Sequence, residues 1–216
     1  ALSEDGTAQL SVGTPDIGGS RASMAQMAAE ELGIPYENIR TTIADTATLG
    51  YNEVSHGSRV TYASGLATIE AARAAVKKLK GRAAAKWGID EDAVFWEDGY
   101  AKPAGPNAGQ FDPLPIEKLT AKMGSTGGPI VGHFEATPEG AGVSFATHIV
   151  DAEVDKETGQ TKVVRYTVIQ DAGKAINPSY VEGQFQGGAA QGIGWALNEE
   201  YIYDENGCLQ NSGFLD

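Results

Sequence analysis

Thr7-Ala8-Gln9-Leu10-Ser11-Val12 alternates polar and apolar residues; Gly13-Thr14-Pro15-Asp16-Ile17-Gly18-Gly19-Ser20-Arg21 follows, and beyond it Met24, Met27, Ala28 and Leu32 recur at three- and four-residue spacing. Period two suits a half-buried strand, and the longer period suits an amphipathic helix. Ser20 is expected to cap that helix, which runs from Arg21 to about Leu32, with Gly33 as its stop and Pro35 just beyond. A glycine-rich turn between a strand and a helix start lets backbone N–H groups and the helix dipole converge on an anion. An ordinary glycine turn is the plainer alternative, since neither G-x-G-x-x-G nor Gly-Lys-Ser/Thr is present.

Downstream, Glu37 to Ala44 reads as a second strand, Gly50 to Gly57 as a polar loop, and Arg59 to Lys86 as a long helix with Leu66, Ile69, Ala72, Val76 and Leu79 on one apolar face. His56-Gly57-Ser58-Arg59-Val60-Thr61 repeats the logic of the first turn. Ser58 can cap, and the planar fork of Arg59 can bind a phosphate or pair with a carboxylate. The cluster Lys77, Lys78, Lys80, Arg82 and Lys86 complements the helix dipole and reads as a solvated face.

Glu97-Asp98-Gly99 marks a hairpin turn, and Pro115 to Met123 a short helix that starts on proline. Val143 to Val154 and Lys162 to Gln170 read as an antiparallel hairpin joined by Asp155-Lys156-Glu157-Thr158-Gly159. Asn177-Pro178 starts a third helix reaching to about Ala196 or Leu197. Gly183, Gly187, Gly188, Gly192 and Gly194 each cost that helix ~1 kcal/mol relative to alanine, so a close approach to it is expected. Gln184 and Gln191, seven residues apart, share one face, and their amides can both donate to and accept from a ligand; close packing against a sheet explains the glycines but not this pairing. The order of elements gives an α+β fold, with mixed and antiparallel sheets packed with helices and no regular βαβ repeat. One domain is expected over 1–216, divisible into subdomains of about 1–128 and 129–216.

With 16 Lys and Arg against 29 Asp and Glu, the net charge of −13 argues against a nucleic-acid partner. Lone Cys208 allows no internal disulfide and suits a reducing, cytoplasmic setting, and no apolar run is long enough to suggest a membrane anchor. His56, His133 and His148 lack the spacing of metal ligands, and no metal held by protein side chains is expected. Asp16, Asp45 and Asp171, each near glycine or hydroxyl residues, read as turn or capping residues in preference to general bases. The chain opens almost directly on a strand and stops at Phe214-Leu215-Asp216, which reads as a piece of a longer protein cut at both ends.

Three segments, taken in order and with their separations, resemble the molybdenum hydroxylase family of xanthine dehydrogenase and aldehyde oxidase type, specifically its molybdopterin-binding large subunit. They are Gly13 to Ser20 leading to Leu32-Gly33-Ile34-Pro35; Ala44-Asp45-Thr46 through Gly57-Ser58-Arg59 to Gly65; and Asp171-Ala172-Gly173 through Asn177-Pro178 and Glu182-Gly183-Gln184 to Gln191-Gly192-Ile193-Gly194, followed by Glu199-Glu200. The resemblance implies hydroxylation of an aldehyde or N-heteroaromatic carbon, with oxygen derived from water. It implies a molybdenum-bearing molybdopterin, expected in its cytosine dinucleotide form, with 2Fe-2S clusters and FAD carried by other domains or subunits. By it, Gly18, Gly19 and Ser20 lie beside the metal end of the cofactor, Gly57, Ser58 and Arg59 along the pterin and phosphates, Gln184 donates to it, and Arg21 and Gln191 are further cofactor-binding residues. Partners implied are the rest of the subunit, iron–sulfur and flavin subunits, and a small-molecule substrate. Two departures stand out. The family's Gly-Gln-Gly glutamine has no counterpart in Ile17-Gly18-Gly19-Ser20, and its general-base glutamate would lie beyond Asp216, so no catalytic residue is assigned. A non-catalytic module binding a phosphorylated metabolite or a partner protein is the alternative reading.

Overall fold

Alternation in the first strand and the 3.6-residue period after it require one face of each to be covered, and here they cover each other. In the computed structural model, which describes residues 1–140 and 142–213, the chain forms two units, Ala1–Gly140 and Ala141–Asp216.

In the first unit, β1 (Ala8–Val12) leads through the glycine turn into α1 (Ser20–Leu32), and β2 (Ile39–Ile43) returns parallel to β1, pairing Ala8 with Ile39 and Val12 with Ile43. This single βαβ unit is a long-range pairing that the sequence pattern does not reveal. The second strand is shorter than Glu37 to Ala44, because Tyr36–Asn38 forms a 3-10 turn first. Gly33 ends α1 in the left-handed region at φ 68°, and a Cβ there would strike the Asp98–Gly99 backbone (2.7 Å from Asp98 C). That close approach docks the end of α1 on the turn of the next hairpin, where the Trp96 indole N–H donates to the Leu32 carbonyl at 3.1 Å.

α2 (Arg59–Trp87) packs against α1. A Cβ at Gly65 would touch Met27 Sδ at 3.0 Å, the Thr68 hydroxyl lies 3.6 Å from Met24 Sδ, and Arg73 is paired with Glu31 at 2.9 Å. β3 (Val94–Glu97), β4 (Tyr100–Pro103) and β5 (Leu114–Pro115) form an antiparallel sheet; α3 (Ile116–Thr120) is shorter than its expected span because a 3-10 turn at Met123–Ser125 replaces its last turn. One core joins these parts: Ala28, Leu32, Leu79, Ala83, Val94, Ala101, Leu119 and Ile130 are all buried within it.

The residues around Ile130 form a strap across α2. Lys78 donates to the Val131 carbonyl at 2.7 Å, and Arg82 donates to those of Leu119 (3.1 Å) and Gly128. Gly132 lies directly on the α2 backbone, with a Cβ there only 3.0 Å from Ala75 N. Two members of the expected solvated basic face are therefore structural clasps, because an irregular segment crossing a helix leaves carbonyls that need donors.

The second unit contains β6 (Ala146–Val154) paired antiparallel with β7 (Thr161–Gln170), and α4 (Pro178–Leu197), started by Asn177, whose side chain accepts from the Tyr180 N–H. None of its described residues is buried. The expected close approach to α4 is not met within the described residues. A Cβ at Gly183, Gly187, Gly188 or Gly192 would touch nothing within 4 Å, and only Gly194 meets a neighbour, the Glu199 carboxylate. Among the described residues, no helix is long and apolar enough to cross a membrane.

Candidate functional site

In a βαβ unit with parallel strands, the helix starts lie at the carboxyl edge of the strands, where ligands of open α/β sheets bind. Both glycine-rich segments meet at that edge. The Ala44 N–H donates to the Val12 carbonyl at 3.0 Å, and a Cβ at Gly13 would lie 2.8 Å from Asn52 Cβ, so the turn before α1 touches the loop before α2. The first two expected groups, Gly18 to Arg21 and Gly57 to Arg59, thus belong to adjoining loops of one unit. Gln184 and Gln191 belong to the other unit.

The two helix starts differ chemically. Before α1, Gly18 and Gly19 take φ of 60° and 79°, a left-handed pair that glycine adopts without steric cost. Ser20 is not the cap: Gly19 precedes the helix, and Ser20 is its first residue. Its buried hydroxyl folds back to accept from the Ile17 N–H (3.1 Å) and donate to the Pro15 carbonyl (3.2 Å), closing the turn. The Asp16 carboxylate accepts from the Arg21 N–H at 3.0 Å and pairs with the Arg21 guanidinium at 3.4 Å. Asp16, Asp45 and Asp171 all accept from local backbone amides, as turn residues do.

The α2 start is less satisfied by its own side chains. Ser58 precedes the helix at φ 57° and makes no side-chain cap, there is no acidic residue in the first turn, and a Cβ at Gly57 (φ 58°) would meet open space. Among the described residues, Arg59 forms no ion pair with a carboxylate; its guanidinium donates to the Glu53 and Val54 carbonyls at 2.9 and 3.3 Å. Those carbonyls fix the loop's last turn while leaving the arginine's charge beside the helix start. Ser55 Oγ is closed off from solvent and has no hydrogen-bond partner among the described residues.

Ser55 and three further loop residues escaped the sequence reading. The Tyr51 hydroxyl donates to the Glu53 carboxylate at 2.8 Å, which, with help from the Val54 N–H, holds that carboxyl below the usual range and pushes the tyrosine above its own. Asn52 is the contact with Gly13. The aperiodic polar loop held no signal for any of them beyond its composition.

On α4, half-buried Val181, Phe185, Ala189 and Ile193 recur every four residues. Gln184, Gly187, Gly188, Gln191 and Trp195 fall on the face away from that stripe. Gln184 and Gln191 are exposed, and neither side-chain amide has a hydrogen-bond partner among the described residues. Among the described residues, no three His, Cys, Asp or Glu side chains converge as metal ligands; His133 lies near Glu135 and His148 near Tyr166.

Unit by unit, these features define a domain with two amide-rich helix starts at one sheet edge and an open glutamine- and glycine-bearing helix face. The chain belongs to the molybdopterin cofactor-binding domain family, which matches residues 1–216. It is 33% identical over 204 residues to the nicotine 6-hydroxylase large subunit of Paenarthrobacter nicotinovorans, a match covering 92% of this chain and 25% of that one. To the carbon monoxide dehydrogenase large chain of Hydrogenophaga pseudoflava it is 32% identical over 216 residues, covering 98% and 27%. The solved structure of reconstituted CO dehydrogenase from Oligotropha carboxidovorans superposes with a TM-score of 0.82 at 27% identity, covering 100% of this chain and 27% of that one. The chain therefore spans about a quarter of the length of these relatives. Family and α+β fold agree with the expectation from sequence.

Proposed function

We propose that the chain is the cofactor-cradling part of a molybdenum-dependent oxidoreductase that hydroxylates an aldehyde or N-heteroaromatic carbon with oxygen derived from water. One observation carries this reading: the α2 start has no side-chain cap, carries the Arg59 charge and has open space at Gly57, with the Ser55 hydroxyl of the same loop left unpartnered among the described residues. Such a cluster fits an anionic, hydrogen-bonding group such as a pterin phosphate. Gly57, Ser58 and Arg59 would hold that part. Gly18 and Gly19, with Ser20 and Arg21 shaping their turn, would face the metal end, and Gln184 and Gln191 would donate from α4. When bound, the molybdenum–pterin group supplies the oxygen-transferring chemistry, and the protein's part is to bind and orient it. A heteroaromatic substrate draws support from the name of the nicotine 6-hydroxylase relative.

The cytosine dinucleotide form of the cofactor, iron–sulfur and flavin groups on other domains or subunits, a cytoplasmic setting and inactivity of this chain alone belong to the same proposal. Relatives named as large subunits and large chains support the expectation of partner polypeptides.

Gly57→Asp tests the reading. Aspartate tolerates a positive φ but sets a carboxylate against the proposed anion site. In the complete polypeptide, pterin content should fall about tenfold while the fold is retained by circular dichroism. Unchanged pterin content would overturn the placement.

A further inference from the structure

α2 carries Lys77, Lys78, Lys80, Arg82 and Lys86 within ten residues of an otherwise acidic chain. Among the described residues, none of them forms an ion pair with a carboxylate. Among the described residues, Lys78 and Arg82 bond only to backbone carbonyls, those of Val131 and Gly128 in the strap and of Leu119 in α3, which orients their side chains without neutralising their charge. The same two residues, with Ala85, form one wall of an open groove of about 480 Å³ whose other wall is Gly127, Pro129 and Ile130. Lys78 and Arg82 line the groove four residues apart, and exposed Lys86, four residues further on, continues the same helix stripe beyond it. One acid approaches that wall: the Glu91 carboxylate would lie 3.3 Å from a Cβ at Gly81.

We infer that this groove is a docking site for an extended acidic peptide segment of a partner subunit. Spacing fits that occupant: cations four residues apart on a helix are about 6 Å apart along its axis, and alternate side chains of an extended peptide are about 6.8 Å apart. Carboxylates at every second position of the segment would meet the stripe in turn, while the apolar walls take up its backbone and intervening side chains. The excess of acid over base in the rest of the chain disfavours a nucleic acid. Charge left unpaired on an exposed helix speeds encounter between separately folded polypeptides, a benefit that a segment of the same chain does not need. The inference rests on the proposed multi-subunit assembly, though not on the cofactor.

Zero-length carbodiimide cross-linking of the native complex, read by mass spectrometry, tests it. Links from Lys77, Lys78 or Lys86 to Asp and Glu clustered in one stretch of another polypeptide are expected. Links only into the same polypeptide, or none while Lys156 and Lys162 react, would overturn it. As a second measurement, the double variant Lys77→Glu/Lys86→Glu alters two exposed side chains that hold no part of the fold together. It should weaken retention of the partner about tenfold and flatten its salt dependence, with an unmoved melting temperature. Unchanged retention, or displacement of the partner by a short single-stranded oligonucleotide, would overturn it. Molybdenum assayed in the same preparation separates the two readings: cross-links without molybdenum would remove the cofactor proposal alone, and molybdenum without cross-links would remove the docking site alone.

Discussion

Each unit combines strands with a long helix, yet they differ in what they hide from water. In Ala1–Gly140, Leu79, Ala83, Ala101 and Ile130 are 0% exposed, and the three helices, both sheets and the strap share that core. In the described part of Ala141–Asp216 nothing is buried, and Phe145, Trp195 and Tyr201 are 71%, 71% and 77% exposed. A two-stranded hairpin and one helix bury too little apolar surface to offset their ordering entropy unaided. The first unit is therefore held together by its own packing, and the second carries surface suited to being covered. The open α4 face, where glycines meet no neighbour, belongs to that surface.

The largest effect should come from Gly33→Val. It forces a β-branched residue to a positive φ and drives its side chain into the Asp98–Gly99 backbone. A loss of about 4 kcal/mol or more is expected by chemical denaturation, with the first unit collapsing. A loss under about 1 kcal/mol would mean that the docking of α1 on the β3–β4 turn is not needed there. Next, Leu79→Ala should cost about 3 kcal/mol, whereas Trp195→Ala, despite removing a larger side chain, should move stability by less than about 0.5 kcal/mol. Equal losses would break the comparison between the units.

The smallest effect concerns the β6–β7 turn. Asp155 accepts from the Thr158 and Glu157 N–H groups, which hold its carboxyl below the usual aspartate range. Because its folded value is depressed, the contribution is fully present above the ordinary aspartate value and lost as pH falls through the lowered one. Amide exchange at Glu157 and Thr158 should accelerate only in that acidic window, and no such change should occur in Asp155→Asn.

Local signals read well wherever backbone geometry demanded one residue type. Gly33 stopped α1, Asp98-Gly99 turned the hairpin with both residues at positive φ, and Asn177-Pro178 opened α4. Tertiary pairings were not legible. The parallel union of β1 with β2 depends on where α1 places the returning chain, and the strap over α2 is an aperiodic stretch whose role only Gly132 and the carbonyls taken by Lys78 and Arg82 disclose. Ser20 was misread because a cap and a turn-closing hydroxyl look alike in sequence, and the two left-handed glycines before it allow the second. The two helix starts were legible as structure, but not the contrast between one satisfied by Asp16 and one left open at Gly57.

The cofactor-cradling reading is tested most directly by metal and pterin analysis of the complete polypeptide purified with its partners. The account predicts about one molybdenum and one pterin per polypeptide. Their absence from a folded, fully assembled preparation would contradict it.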